Sequence, residues 1–511
     1  MKLKPTLGWC RTKPPHELLM QQNGDSVAVQ CSKLQNYVCK STGVYKIGGT
    51  RCYNADADTG QPIPWLKRSY HIREDGFVKK TLLFSYGTIY SRDDASGDLT
   101  EQETGLTPDA IPLDFTMQVS GNSILYILTG QDAVRKYDGN SGYVIDEVST
   151  DDLSSNYESG IVHLDRAWYV TKNSSKISYS ESLTPETIED EFIVGNDKNS
   201  FVRRIVRGAG ENVYFFKNNS IWQLFGRTTS QFQVRLVTNK YGLASKKTIY
   251  PASGGFVFLD EYTKELCFFG GTEASITSLT ERDIKLREII DDTPTSVERF
   301  DMTVHNGLFR FAFNHIDADL DYNTHELIYV LDEPRSDNLP RWSLIKGSNV
   351  ECYSVWNQQG DKEELITGRS DCGKVMHHNQ GRDFDEVAIE TKVRFAEITT
   401  SEDKVVRFKD FFVKAKPGSA NLKSTFNYYL NGRISNRGTD NLNMEGETRT
   451  VGTIKLQQSV LFNDRIVPLT EYTRGNSISF EIEDNNVGTD MEIYSIAFKA
   501  RELYKLRNQY V

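Results

Sequence analysis

Short apolar segments joined by polar turns recur along this chain. The clearest are "KTLLFSYGTIYSRD" from Lys80, "NSILYILTGQDAVRKYD" from Asn122, "RAWYVTKNSSKISYS" from Arg166, "NVYFFKNNSIWQLFG" from Asn212 and "GFVFLDEYTKELCFFGG" from Gly255. Each is a run rich in β-branched and aromatic residues, a turn built from Gly, Asn, Asp, Ser or Lys, and a second such run, which is the pattern of a β-hairpin. The turns centre near Tyr86, Gly130, Asn173, Asn218 and Glu261. They lie about 43 to 45 residues apart, the period of a four-stranded propeller blade.

Two looser repeats come next, "GLFRFAFNHIDADLDYNTHELIYVLD" from Gly307 and "EELITGRSDCGKVMHHN" from Glu363. The set predicts an all-β chain with a β-propeller over residues 46–384, of six to eight blades with seven as the central value. A closed ring suits many short strands because it leaves few sheet edges exposed. One segment, "SLTERDIKLREIIDD" at 278–292, is expected to be helical, with Leu279, Ile284, Leu286 and Ile289 toward one side. After "QGRDFDE" the pattern becomes strict alternation, as in "KSTFNYYLNGR" and "SISFEIED". Residues 385–503 are therefore expected to form an antiparallel β-sandwich. Residues 1–45 are expected as an N-terminal arm or circularising strand, and 504–511 as a tail.

Composition agrees with sheet: 25 Tyr and 26 Phe stand beside only 7 Met. A net charge of -10 argues against static binding to a phosphate backbone and leaves room for passing contact with DNA. The opening "MKLKPTLGWCRTKPPHELL" lacks the apolar core of a secretory leader, and no run reaches the roughly 20 apolar residues of a membrane span. Folding in a cytoplasm is the expectation. Seven cysteines without a CxxC pair fit free thiols; Cys10, Cys31, Cys39 and Cys52, with His16, match no zinc spacing.

Catalytic signatures are missing where they would be expected. The chain holds no GxxxxGK[ST] loop, no GxSxG elbow, no SxDxGxxW box and no blade-ending WD dipeptide. His377 and His378, beside Asp371 and Cys372, form the densest ligand-like group, yet neighbours on a strand face opposite ways. The loop "DADLDYNTHE" places Asp317, Asp319, Asp321 and Asn323 like the first positions of a calcium loop. Tyr322 stands where such a loop has Gly, and Ile328 where it has the bidentate Glu. No cofactor is expected, and any metal is confined to that weak calcium candidate.

The order of these features resembles a known family. "HLDRAWYVTKNSSKISYSESLTPETIED", then "FFKNNSIWQLFGRTTSQFQVRLVTNKYGLASKKTIYPASGGFVFLDEYTKELCFFGG", then "IETKVRFAEITTSEDKVVRFKDFFVKAKPGSANL" look like the β-propeller tail proteins of short-tailed bacteriophages, the packaged-DNA stabilisation (hub) and tail tubular nozzle family. Arg166 and Trp168 match the opening of a blade, Tyr179, Ser180 and Pro185 its continuation, and Ile221 to Gly226 the next strand. Gly242 and Ala244 match a "G…A" element, with Asp260 lacking the Gly that usually comes after it. Lys392 and Phe395 match the entry to the C-terminal domain. The resemblance covers roughly residues 75–505 and treats these positions as architectural.

It implies a virion structural protein, assembled in the host cytoplasm, that makes and breaks no bond. Several copies, commonly six, would form a ring below the portal and adaptor and enclose the channel through which double-stranded DNA is retained and then ejected. Its partners would be itself, the portal, adaptor and other tail proteins, and transiently DNA; it would not insert in a membrane. Two other classes remain open, a carbohydrate-binding or glycan-hydrolysing propeller with a β-sandwich accessory domain, and a monomeric scaffold. An enzyme should present a pocket with perturbed carboxylates at one propeller mouth. A ring subunit should present lateral contact surface.

Overall fold

The computed structural model describes residues 2–505 except 14–17, 19, 24–25, 54–57, 74–75, 94–95, 140–144, 196–198, 209–210, 319, 357–362, 379, 381, 400–403, 417–422, 432–437, 444–447, 452–453, 458–462, 469–473 and 486–490. Each predicted hairpin is the middle pair of strands in a four-stranded antiparallel unit. In blade 1, Gly76–Ser85 turns into Thr88–Arg92 through Tyr86 and Gly87. Both turn residues have positive φ, 45° and 77°, as a two-residue hairpin turn requires. Trp65–Arg73 flanks this pair on one side and Leu99–Glu103 on the other.

Blades 2 to 5 repeat the plan with first strands Leu113–Val119, Tyr157–His163, Val202–Arg207 and Ile249–Ala252. Blade 6 begins with Asp301–His305 and blade 7 with Val350–Trp356. The first strands succeed one another around a ring, which closes where Val350–Trp356 lies against Trp65–Arg73. The fold is thus an all-β propeller, with six four-stranded units standing as separate sheets and blade 6 continuing into a larger one.

Apolar residues between blades make the core a series of seams rather than one centre. Trp65, Phe84, Leu125 and Ile127 pack blade 1 on blade 2, and Tyr126, Leu128, Tyr157 and Tyr169 pack blade 2 on blade 3. Further round, Trp168, Ile177, Ile205 and Phe215 join blades 3 and 4; Phe216, Ile221, Phe256 and Phe258 join blades 4 and 5. Blade 7 meets blade 1 through Ile366, Val375, Leu66 and Leu83. The junction of blades 6 and 7 holds a buried ionic group instead. Arg310 Nη1 donates to Glu326 Oε1 at 3.2 Å, and the Tyr353 hydroxyl donates to the same oxygen at 2.6 Å.

Two N-terminal stretches knit the molecule. Thr50–Cys52 is the outer strand of blade 7, paired antiparallel to Val375–His378 with Arg51 opposite His377, and the Arg51 guanidinium holds Asp383. Cys31–Gln35 pairs parallel with blade 6 at Leu344↔Gln35 and antiparallel with Thr391–Phe395 on its other side. Thr391–Phe395 in turn meets Ser477–Asp484, then Lys423–Leu430, then Gly438–Asn443. A ten-stranded sheet therefore runs without a break from blade 6 into the C-terminal domain.

The facing sheet pairs Lys2–Lys4 with Glu492–Lys505, which lies along Lys404–Lys416. The stretch 1–45, expected as an arm or circularising strand, supplies strands to both C-terminal sheets among its described residues, and the strand that closes the ring lies just beyond it, at Thr50–Cys52. The last strand runs to Lys505, past the expected start of the tail. Gly432, in the Asn-Gly pair of "KSTFNYYLNGR" that suits a hairpin turn, lies outside the described residues.

The segment 278–292 is not a helix. Ile284, Leu286, Ile289 and Ile290 are all buried, so they do not form one stripe, and Lys285 sits in the left-handed region with φ 48°. Only the three residues Leu286–Glu288 make a 3-10 turn. Neighbours pin the segment: Arg11 N–H donates to the Asp283 carbonyl at 2.8 Å, and Thr280 bonds the buried Glu265. An α-helix does come after it, over Pro294–Arg299, with proline in its first turn where no N–H is needed.

Candidate functional site

A cavity of about 900 Å³ opens at one mouth of the propeller, and all seven units line it. Its walls come from connections into first strands (Gln61 to Pro64, Pro108 to Ile111, Lys246, Pro294 to Arg299) and from second-to-third-strand turns (Tyr86, Asn173, Tyr322, Asp371). Propeller geometry explains the convergence: first strands line the axis, so whatever their leading residues carry is brought together at one end.

Those leading residues are charged. Lys67 meets Asp114 at 2.6 Å across blades 1 and 2, and the Trp65 indole also donates to Asp114 at 2.9 Å. Glu158 of blade 3 faces Lys246, at the entry to blade 5, at 3.6 Å. Arg203 of blade 4 pairs with Glu298 on the short helix, and Ser245 Oγ donates to the other Glu298 oxygen at 3.1 Å. Arg299 Nε donates to Glu351 of blade 7 at 2.7 Å. Lys247 donates to the Glu351 carbonyl at 2.9 Å and the Pro64 carbonyl at 3.3 Å while facing Asp301 at 3.5 Å, so one ammonium spans blades 5, 6, 7 and the start of blade 1.

Burial sets the protonation tendencies here. It pushes the Glu158 carboxyl upward, against Lys246 and with Glu298, and pulls the Lys246 ammonium downward. Burial also raises Glu351 and Asp301, opposed by Arg299 and Lys247 respectively. At Asp114 burial would raise the carboxyl, but Lys67 and Trp65 outweigh it and hold the group below the usual carboxylate range. The mouth is thus a mixed-sign surface in which cations of some blades pair with carboxylates of others.

Of the residues singled out in the sequence, Asp321 and Asp371 line this cavity; the architectural ones lie within blades and the C-terminal sheets. Trp168 is fully buried, donates to the His163 carbonyl at 3.1 Å and packs on Tyr179 with ring centres 5.0 Å apart. Arg166 donates to the Ser180 carbonyl at 2.7 Å and pairs with Glu189; Ser180 Oγ accepts the Ala167 N–H at 3.0 Å. The Pro185 carbonyl accepts the Tyr169 hydroxyl at 2.7 Å. Gly226 has φ 103° and abuts the Gln231 carbonyl, and Gly242 abuts that of Asn218. Asp260, which lacks the glycine that usually comes after it, accepts N–H groups from Gly242 and Thr263 at 2.9 and 2.8 Å. Lys392 pairs with Glu483 at 2.9 Å, and Phe395 is buried in the core shared by blade 6 and the C-terminal sheets.

The calcium candidate is not assembled among the described residues. Asp317 is exposed on a 3-10 turn, and Asn323 is buried with its amide donating to the Arg299 carbonyl at 2.9 Å. The Asp321 carbonyl, not its carboxylate, accepts Arg299, and Asp319 lies outside the described residues. His378 is buried against Thr367 at 3.0 Å, whereas His377 stacks on Tyr53 with centres 5.4 Å apart. Asp371 is held by Arg369 and Asn349. All seven cysteines are free thiols, and burial pushes Cys39 up to about 12; His16 lies outside the described residues. Among the described residues no three metal-ligating side chains converge, and no helix is long and apolar enough to cross a membrane.

Sequence reasoning missed the mouth. Part of its signal was present: charged residues near the start of several first strands, in "LDFTM", "YES", "FVRRIV", "FDMTV" and "VECYSV". The hairpins drew attention to the middle strands and away from the strand before them.

No family model and no curated protein matches the chain. Solved structures similar to it include a catalytically inactive virginiamycin B lyase from Staphylococcus aureus with quinupristin (15% identity, TM-score 0.41, covering 64% of this chain and 98% of that one). Others are the extracellular domain of the putative one-component system BT4673 from B. thetaiotaomicron (10%, TM-score 0.33, 65% of this chain and 40% of that one) and the mitotic checkpoint complex (10%, TM-score 0.38, 59% and 87%). The likeness is one of fold, and no activity passes from it to this chain.

Proposed function

We propose that this chain is a structural protein of a bacteriophage tail, a hub or nozzle subunit. Copies form a ring below the portal and adaptor, enclosing the DNA channel, and no bond is made or broken. The observation that supports this reading best is the ten-stranded sheet shared by blade 6 and the C-terminal domain. Catalytic propellers with accessory domains need only a tether between the two, and interfaces between such domains are commonly mobile. Here backbone hydrogen bonds and one apolar core fix the two parts as a single body, as a subunit that must hold a fixed place in a ring requires.

Lateral surface is also present. Among the described residues, the outer strands of blades 3 and 4, Thr184–Ile193 and Gln233–Thr238, have a sheet neighbour on one side only. They carry Ile193 at 65% exposure and Leu236 at 48%. Exposed apolar residues on unpaired edges suit contact between subunits. A glycan hydrolase would need two carboxylates poised across a bound sugar; at this mouth Glu298 and Glu351 are each engaged by an arginine.

The test is the mass of the protein mixed with its portal–adaptor complex, read by mass photometry beside the Ile193→Glu/Leu236→Glu variant. Ring-sized complexes for the natural chain and their loss in the variant are expected. Monomers throughout, with or without the adaptor complex, would overturn the reading.

A further inference from the structure

The mouth cavity has features that blade bracing does not use. Glu351 is 1% exposed, and among the described residues its Oε2 has no hydrogen-bond partner although Arg299 occupies Oε1. Arg203, which lines the same cavity, has its buried Nε without a partner among the described residues. Lys246 reaches Glu158 only at 3.6 Å, beyond a normal hydrogen bond. An unmet buried acceptor and an unmet buried donor on residues that line one cavity carry a free-energy cost that a ligand can relieve.

The rim adds aromatic surface. Tyr86 is 61% exposed and has φ 45°. The hairpin turn sets that backbone conformation and leaves the ring exposed beside the cavity. Tyr322 and Phe201 line the same cavity.

The chemistry that matches both features is a neutral saccharide. Its hydroxyls donate to a carboxylate and accept from a guanidinium or ammonium, while the C–H face of a pyranose ring packs on an aromatic side chain. A free anion would meet Glu158, Glu298 and Glu351; a metal cation would meet Arg203, Lys246 and Arg299; an apolar ligand would leave Glu351 Oε2 unmet. At about 900 Å³ the cavity lies within the range of small-molecule sites. We infer that this propeller mouth is a binding site for a neutral oligosaccharide, with Glu351, Arg203 and Lys246 as its polar contacts and Tyr86 as a stacking platform. The inference stands apart from ring assembly, since every contact comes from one chain.

Saturation-transfer NMR with millimolar maltose, lactose, cellobiose and chitobiose tests it on the full chain. At least one disaccharide should receive saturation from the protein. Its affinity should fall about tenfold in Glu351→Gln and in Tyr86→Ala, about the loss of one hydrogen bond or one stacking contact. Tyr86→Ala, an exposed position, should keep the natural unfolding midpoint, so its loss of binding cannot be ascribed to misfolding. Absence of transfer for all four sugars, or transfer unchanged in both variants, would overturn the site. Release of reducing ends would uphold it and overturn the non-catalytic reading of the chain.

Discussion

Gly242 shows how a single residue is dictated by its neighbours. A Cβ there would run into the Asn218 carbonyl of the preceding blade, and the Gly242 N–H is already tied to Asp260. Gly242→Ala should cost about 1–3 kcal/mol through forced backbone displacement, measured as a lowered urea midpoint at unchanged slope. Trp168 is the complementary case, a fully buried ring. Trp168→Ala should cost about 3–5 kcal/mol. A histidine gives a pH signature. Burial, with His315 and Lys346 nearby, lowers His325 from 6.5 to about 3, so the folded protein holds it neutral. Its contribution to stability is complete above pH 6.5 and declines as the pH falls toward 3, because only the unfolded chain takes up the proton. In His325→Gln the stability should fall less steeply across that window, as thermal unfolding at several pH values would show.

Residues of this kind were partly legible in the sequence. The repeat marked the hairpin that carries Arg166, Trp168 and Ser180, whereas the three residues themselves were singled out only by the family resemblance. The bracing role of Lys247 could not, since it depends on four blades meeting at an axis. Nor could the misfit of Asp317, Asp321 and Asn323 as ligands be seen in their alternation, because the buried amide of Asn323 is committed to the Arg299 backbone.

At the scale of elements, the hairpins were readable because local turn chemistry and alternation specify them. The segment 278–292 resists such reading because its apolar residues are buried on several sides by long-range contacts, which removes the stripe that separates a helix from a pinned loop. The closing strand Thr50–Cys52, three residues long, has no pattern of its own; blade 7 defines it by lacking a fourth strand. The same closing region contains the ionic junction of blades 6 and 7. Arg310 and Glu326 are both fully buried there. Removing one partner leaves an uncompensated charge, so Glu326→Ala should cost about 3–5 kcal/mol. Replacing both by Arg310→Met and Glu326→Leu should recover much of that loss. Equal losses in the single and double variants, measured by denaturant unfolding, would contradict this account of the junction.

On the scale of the whole molecule, the propeller and the alternating C-terminal region were separable in sequence, whereas their union was not. The connecting strand Cys31–Gln35 belongs to residues expected as an arm, and its partners lie more than three hundred residues away. Only the folded chain shows that one sheet crosses from blade to sandwich. That rigidity underlies the proposed role. Cryo-electron microscopy of the purified chain bound to its portal–adaptor complex tests the proposal most directly. The account predicts a closed ring of copies, their propellers meeting edge to edge and their shared sheets in one fixed orientation around an open channel. Single propellers that bind no adaptor and form no ring at any concentration would contradict it.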